Sequence, residues 1–389
     1  MSRGPHAISA DHVFDGDTVH LDGAVVIDSG RVVAIVPRAE LPSAMSVYKV
    51  APGAWLAPGF IDVQVNGGGD VLFNDAPTPA SIARMIAAHR RFGTTSLLPT
   101  LISDTPEQMR AALHAVEEIA PREPAVLGIH LEGPFLSPGK PGVHDPAMLR
   151  RPTADDLALL TARRPTKVMM TLAPEQVPKG FIADLVAGGV HVSIGHTMAT
   201  YAQTKLALQE GARGFTHLFN AMRGLDSREP GPIAAALEAK NAWFGMIVDG
   251  AHVDPAMLRL ALRGHAHPML VTDAMPPVGG QRDSFVLGGH EVHVTGHACV
   301  SEDGTLAGAA LTMAQAVRNS VTLLQVPLTA ALQFASANPA DFIGLGDTLG
   351  RLRPGYRADV VAFMPDELRI LATWVAGQAQ ADAAEAIAR

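Results

Sequence analysis

Eight short apolar runs, mostly separated by stretches with helical spacing, organise this chain: Ile61–Val65, Thr94–Leu98, Val126–His130, Lys167–Leu172, His191–Ile194, Gly214–Thr216, Phe244–Val248 and Met269–Thr272. Between the first three lie the amphipathic stretches Pro79–Phe92 and Thr105–Ile119, the second with Asp104 or Thr105 placed to cap a helix. Apolar runs that alternate with crossover-length helices predict a parallel sheet closed into an α/β, TIM-like (β/α)8 barrel. The pattern changes on either side. Residues 7–56 read as short strands, Val25–Ile27 and Val32–Val36 among them, broken by the turn pairs Asp15-Gly16, Asp22-Gly23 and Ser29-Gly30. Ala358–Phe363 and Ile370–Val375 again look like strands, introduced by Arg353-Pro354-Gly355. The expectation is a small β-sandwich domain assembled from residues 1–56 and 350–389, with the barrel at 57–349 inserted between them. Residues 303–347 are expected to add helices outside the barrel, and the Ala-rich tail 376–389 is expected to be helical or frayed.

Composition narrows the class. The chain has 389 residues, 48% hydrophobic and 17% charged, which is the balance of a compact globular protein. A net charge of −8 without a Lys/Arg block argues against nucleic acid or an anionic membrane as partner. A pocket sets its own local field, so an anionic small substrate stays open. Cys299 is the one cysteine, so neither an intrachain disulfide nor a thiolate metal cluster is available. No apolar stretch reaches the roughly 18 residues of a membrane span. The opening residues lead into Asp11, Asp15 and Asp17 rather than a hydrophobic signal core, and the expected location is the cytoplasm.

Four of the eight runs stop at a residue able to hold a metal or move a proton: Glu132, His196, His217 and Asp273. A lone histidine is more often a hydrogen-bonded structural residue, and a lone strand-end acid is often simply solvated. Two histidines and a carboxylate on barrel strand ends instead suit one divalent ion, Zn2+ first, with Fe2+ or Co2+ also compatible, and leave a position open for water or substrate. Asp273 ends the last run, where a carboxylate beside such a site can take a proton from water and return it to a leaving group. His130 shares strand parity with Glu132 and is a weaker cavity candidate.

A second group reads as substrate-binding: His144, Asn220-Ala221, Arg228 and His252, with Arg228 on a Gly/Pro-rich segment where its fork of donors suits a phosphate. No Gly-x-x-x-x-Gly-Lys-Ser/Thr cradle or strand–Gly-x-Gly-x-x-Gly–helix unit is present. Gly67-Gly68-Gly69 is expected to form a flexible loop beside the site.

These segments, together with Pro58-Gly59-Phe60-Ile61-Asp62, His130-Leu131-Glu132-Gly133-Pro134, Gly304-Thr305-Leu306-Ala307-Gly308 and Leu352-Arg353-Pro354-Gly355, resemble the amidohydrolase superfamily along almost the whole chain. The likeness is strongest to its amino-sugar-phosphate deacetylases. Many superfamily members have His-x-His at the end of the first strand; here Gln64 and Asn66 stand at those places. Neutral amides bind Zn2+ poorly compared with imidazole, so the two mark a single-metal type and are not expected to be ligands. The resemblance implies removal of the acetyl group from N-acetyl-D-glucosamine 6-phosphate, with Glu132, His196 and His217 holding the metal, Asp273 as general base and then acid, and His144 stabilising the oxyanion. It also implies that Val143, Asn220, Ala221, Arg228, His252, Leu306, Ala307 and Gly308 contact the sugar phosphate, and that the protein is a homodimer. An N-acetylgalactosamine 6-phosphate substrate is an alternative, and so is a non-catalytic sugar-phosphate-binding scaffold on the same fold.

Overall fold

The computed structural model describes residues 4–380. Its eight-stranded parallel sheet runs in chain order: β1 (Phe60–Val65), β2 (Thr94–Ile102), β3 (Gly128–Glu132), β4 (Lys167–Leu172), β5 (His191–Ile194), β6 (Gly214–Phe215), β7 (Trp243–Met246) and β8 (His267–Leu270). The expected barrel is therefore present. It is nearly closed: Asp273 N–H donates to the Gln64 carbonyl at 3.1 Å, and Asn66 and Gly67 N–H donate to that of Ala274 at 2.9 and 2.8 Å. This seam joins the end of β1 to the segment just past β8, which brings Gln64, Asn66 and Asp273 together.

All nine residues of β2 are buried, which carries the strand four residues beyond its expected end at Leu98. The helix between β2 and β3 spans Pro106–Ile119, with the Thr105 side chain accepting from Gln108 N–H. Gly67-Gly68 is no free loop. It pairs with Val71–Leu72 in a short hairpin, and a Cβ at Gly67 would lie 2.4 Å from the Val71 carbonyl oxygen and 2.8 Å from Pro276 N. Glycine there permits close backbone approach.

The segment after β8 departs most from expectation. Residues 284–309 form a four-stranded antiparallel sheet: Ser284–Leu287, His290–Thr295, Ala298–Ser301 and Leu306–Ala309. Helices begin only at Met313, so the stretch from Asp303 is strand before it is helix. Phe285, Leu287, Val292 and Cys299 form its buried side, and Gly288-Gly289 makes its first hairpin, a period-two pattern with a turn pair that the helical expectation overlooked. Its last strand ties back to the barrel mouth, where Ala309 N–H donates to the Asp273 carbonyl and Met275 N–H to that of Ala309, both at 2.9 Å.

A separate mixed sheet comes from both ends of the chain. Its order is Gln378–Ala379, Arg369–Val375, Val360–Met364, Trp55–Pro58, His6–Phe14, Val19–Asp28 and Arg31–Pro37, with Ser46–Lys49 also pairing with His6–Phe14. Ile8, Val13, Val25, Ile27, Leu56, Val360 and Trp374 pack in its core. Asp22-Gly23 is not a turn but lies inside Val19–Asp28, where Asp22 adopts φ 48°. Arg38 bridges Asp11 and Asp22 at 2.9 and 3.0 Å. In the tail, residues 378–379 add a strand where a helix or fraying was expected, and 381–389 lie outside the described residues. Contacts divide the chain into two compact units, one of residues up to Asp62, Ile86–Ser96 and Thr312 onward, the other of Val63–Met85 and Leu97–Leu311. Among the described residues no helix is long and apolar enough to cross a membrane.

Candidate active site

Glu132 is the last residue of β3, and His196, His217 and Asp273 follow the ends of β5, β6 and β8 by two or three residues. All four are buried. His196, His217 and Asp273 adopt φ values of 48°, 29° and 50°, the left-handed region. For residues with a Cβ that costs roughly 1–2 kcal/mol each, so the surrounding contacts must hold them there.

His217 Nε2 lies 2.9 Å and His196 Nε2 3.3 Å from the same Glu132 oxygen, and the two ring nitrogens are 3.2 Å apart. Glu132, His196 and His217 form a buried group able to hold a metal ion. Ligands about 2.05 Å from a tetrahedral Zn2+ would stand about 3.3 Å from one another, close to these separations. The donor chemistry fits as well. His196 Nδ1 lies 3.0 Å from the Lys140 carbonyl, which can only accept, so the ring proton sits on Nδ1 and the Nε2 lone pair faces inward. Burial works against the Glu132 charge, yet the His196 and His217 rings beside it hold its carboxyl well below the usual range. Burial likewise opposes a charged His217, and Glu132 beside it carries that ring above the ordinary histidine value.

Gln64 and Asn66 have a definite place in this arrangement. Gln64 Nε2 lies 3.2 Å from both Glu132 carboxylate oxygens and from Asp273 Oδ1, while Asn66 Nδ2 donates to Asp273 Oδ1 at 2.6 Å. Gln64 thus holds both acids, and Asn66 holds Asp273. Burial first, then the Glu132 charge, pushes Asp273 above the ordinary aspartate range, which makes it a better proton acceptor.

His144 Nδ1 accepts from Ser103 N–H at 3.2 Å and lies 2.8 Å from Ser103 Oγ. Its proton therefore resides on Nε2, which has no partner among the described residues. Burial drops its pKa to about 3, so the ring stays neutral and offers one N–H. His130 is not part of the cavity wall. Its ring lies between Thr100 and Thr171 hydroxyls at 3.3 and 2.7 Å, joined onward to Thr216 and Ser193, and burial lowers its pKa to about 4.

A cavity of about 470 Å³ opens over these groups, with Asn66, Glu132, Val143, His144, His196, His217, Asn220, Ala221, His252, Asp273, Leu306 and Gly308 in its wall. Ala307 lines an adjoining cavity of about 410 Å³. Gly308 holds φ 71°, and a Cβ there would lie 2.8 Å from the Asp273 carbonyl oxygen, so the 306–309 strand presses directly on the Asp273 turn. His252 is fixed by Asp249, whose carboxylate meets its Nδ1 at 2.6 Å. Against its own burial, that hydrogen bond holds Asp249 below the ordinary aspartate range. Arg228 does not join this group; it is exposed and outside the cavity wall. Two residues escaped the sequence-based selection. Glu175 accepts from Thr197 Oγ1 and Met198 N–H, both at 2.6 Å, and so pins the turn that follows His196. Lys140 supplies the carbonyl that sets the His196 tautomer. Spacing gave no signal for the first, and position between Glu132 and His144 was the only signal for the second.

A barrel with one buried Glu/His/His group at its strand ends defines a class of metal-dependent hydrolases, and the amidohydrolase family profile matches residues 55–380. The chain belongs to the amidohydrolase family. Among its relatives it is 43% identical over 334 residues to an N-acetylgalactosamine-6-phosphate deacetylase of Shewanella sp. (strain ANA-3), covering 85% of this chain and 84% of that one. It is 39% identical over 352 residues to the N-acetylglucosamine-6-phosphate deacetylase of Homo sapiens, covering 85% of each. The crystal structure of N-acetylglucosamine-6-phosphate deacetylase from Pasteurella multocida superposes with a TM-score of 0.93 at 34% identity, covering 97% of this chain and 99% of that chain.

Proposed function

We propose that this protein hydrolyses N-acetyl-D-glucosamine 6-phosphate to D-glucosamine 6-phosphate and acetate. The observation that carries the proposal is the Glu132–His196–His217 group beside an Asp273 held by Asn66, in a chain similar end to end to deacetylases of this sugar phosphate. One divalent ion, Zn2+ by preference and Fe2+ or Co2+ as alternatives, would supply Lewis acidity that polarises the acetyl carbonyl and acidifies water.

The residues do the rest. Asp273 takes a proton from water as the water oxygen bonds to the acetyl carbon, and its raised pKa favours that uptake. The Nε2–H of His144 donates to the carbonyl oxygen as negative charge develops there. Asp273 then returns the proton to nitrogen as the C–N bond breaks, leaving acetate and the free amine. Asn66 and Gln64 keep the carboxylate aimed throughout. Val143, Asn220, Ala221, His252, Leu306 and Gly308 line the space for the sugar, with Ala307 behind them. The proposal includes a homodimer, in which the exposed Arg228 of one copy serves the phosphate bound by the other.

A second reading, N-acetylgalactosamine 6-phosphate as substrate, is favoured by the 43% identity to the Shewanella enzyme. The two sugars differ at C4 alone. Acetate release from both hexosamine 6-phosphates, with metal content measured on the same preparation, decides between them. Faster release from the gluco sugar supports the first reading and from the galacto sugar the second; a metal-loaded protein that releases acetate from neither removes both.

A further inference from the structure

The interior of a (β/α)8 barrel is normally filled by layers of branched apolar side chains. Beneath the Glu132–His196–His217 group a run of polar side chains crosses it instead. Ser193 Oγ lies 2.7 Å from Thr216 Oγ1, Thr216 Oγ1 2.7 Å from Thr171 Oγ1, and Thr171 Oγ1 2.7 Å from His130 Nε2. All four residues are buried and none lines the cavity, so neither substrate nor water meets them. Polar groups placed there cost stability unless they satisfy one another.

The hydrogen bonds close in one direction only. The Thr100 hydroxyl donates to the Leu98 carbonyl at 3.3 Å, so it faces His130 Nδ1, also at 3.3 Å, as an acceptor. The ring proton therefore sits on Nδ1, and Nε2 accepts from Thr171. Thr171 in turn accepts from Thr216, and Thr216 from Ser193, whose hydroxyl has no other partner among the described residues. Each hydroxyl then donates once, and a network satisfied in this way holds a single arrangement.

The run lies directly under the ligands. It joins β3, β4, β5 and the end of β6, and three of these strands lead to Glu132, His196 and His217. Thr216 precedes His217 in sequence. Gly195, which precedes His196, packs on the run: a Cβ there would lie 2.7 Å from Thr171 Cγ2 and 2.9 Å from Thr216 Cβ. Metal-binding histidines are ordinarily oriented by an acceptor at the second ring nitrogen. The Lys140 carbonyl serves His196 in this way, whereas the buried His217 Nδ1 has no hydrogen-bond partner on another residue. His217 therefore takes its place from its backbone, and Thr216 is where a side chain ties that backbone to β4 and β5.

We propose that this run of hydroxyls, with Thr216 at its centre, is a positioning device that spaces His217 from His196 and so sets how tightly, and in what geometry, the divalent ion is held. The inference rests on the metal site of the reaction proposed above, not on the sugar that reacts. Thr216→Val removes the hydroxyl at nearly the same volume, and Thr216→Ser keeps it. For wild type and both variants, Zn2+ affinity is measured by competition with a chelator. The visible absorption of the Co2+-loaded forms reports ligand geometry, and denaturant unfolding of the metal-free forms reports packing. Thr216→Val should lose about 10- to 100-fold in Zn2+ affinity and shift the Co2+ spectrum, and Thr216→Ser should recover most of the affinity and the wild-type spectrum. A Thr216→Val protein that is less stable yet binds Zn2+ as tightly, with the wild-type Co2+ spectrum, would overturn the proposal, as would a loss that Thr216→Ser does not recover. Should Thr216→Val not fold, Ser193→Ala decides, because it trims only the donor end of the run. It should weaken Zn2+ binding about 3-fold and shift the same spectrum, and no change in either overturns the proposal. Wild-type protein that takes up no metal removes the site and this inference together; metal-loaded wild type that releases no acetate removes the reaction alone.

Discussion

The two compact units handle polar groups in opposite ways. In the unit built from the chain ends, the core around Ile8, Val25, Leu56, Val360 and Trp374 is apolar, and charge pairs such as Arg353–Asp17 and Arg38–Asp22 stay at the surface, with Arg357–Asp359 a largely buried exception. Of its left-handed residues, Ser29, Leu368 and Ala376 sit at hairpin turns, Asp22 lies within a strand and Gln325 ends a helix. In the barrel unit, Glu132, His144, His196, His217 and Asp273 are all buried, and the left-handed residues His196, His217, Phe219, Ala221 and Asp273 follow strand ends at the cavity. Burial of titratable groups and backbone strain both cost stability, so their coincidence at one place marks where structure has been arranged for chemistry.

Asp273 gives the sharpest way to break that contrast. Asp273→Asn keeps the shape and removes the proton carrier, so kcat should fall by about three orders of magnitude or more, with metal content unchanged. Near-normal turnover would mean that burial at Asp273 serves packing alone.

Smaller in scale, on the order of 3 kcal/mol, is the expected contribution of the buried His130 to the pH dependence of stability, with His144 acting in the same direction. The folded-state pKa values of His130 and His144 are depressed to about 4 and about 3, against 6.5 for a free ring. Between those values the unfolded chain binds protons that the folded chain does not. The stability is therefore complete above pH 6.5 and is lost as pH falls from there toward 4 and below. Depressing His130 by the amount stated corresponds to the loss quoted. Denaturant titrations of metal-free protein at pH 7 and 4.5 measure it, and His130→Asn, which cannot charge, should flatten the slope. An unchanged slope in that variant would show that His130 is protonated in the folded state.

The barrel and its metal group were legible in the sequence because period and position encode them: a buried parallel strand reads as an apolar run, and its carboxyl end is where a ligand must stand. Lys167–Leu172 and His191–Ile194 match their strands end to end. The 284–309 sheet was missed because its strands are short, half-exposed and partly polar, as in His290–Thr295, where one residue of six is buried. Gln64 and Asn66 were recognised as departures from a ligand pattern, but their hydrogen bonds to Asp273 span more than 200 residues and depend on the barrel seam. Arg228 shows what a local pattern does not report: its Gly/Pro-rich setting suggested a phosphate clasp, and its exposure, outside the cavity of its own chain, is a property of the fold.

Gln64→Ala tests whether the amides act as supports. It leaves Glu132 and Asp273 without a shared donor, and loss of such an outer partner should lower metal affinity or turnover by about 10- to 100-fold. Metal affinity measured by competition with a chelator, together with kcat, distinguishes the Glu132 role from the Asp273 role, since the first moves affinity and the second moves turnover.

The smallest effect should come from the other unit. Arg353 meets Asp17 at 2.5 Å, but both side chains are nearly half exposed, at 49% and 44%. In high dielectric such a pair gains little Coulomb energy and gives up side-chain entropy to form. Arg353→Ala should therefore cost less than about 1 kcal/mol in denaturant unfolding, and the cost should shrink further as salt is raised. The segment Leu352-Arg353-Pro354-Gly355 is one of those that carry the family resemblance, so a loss well beyond that figure would be informative. It would mean that Arg353 supports the chain through something other than its ion pair, and that the surface charges of the terminal unit are not the minor contributors that their exposure implies.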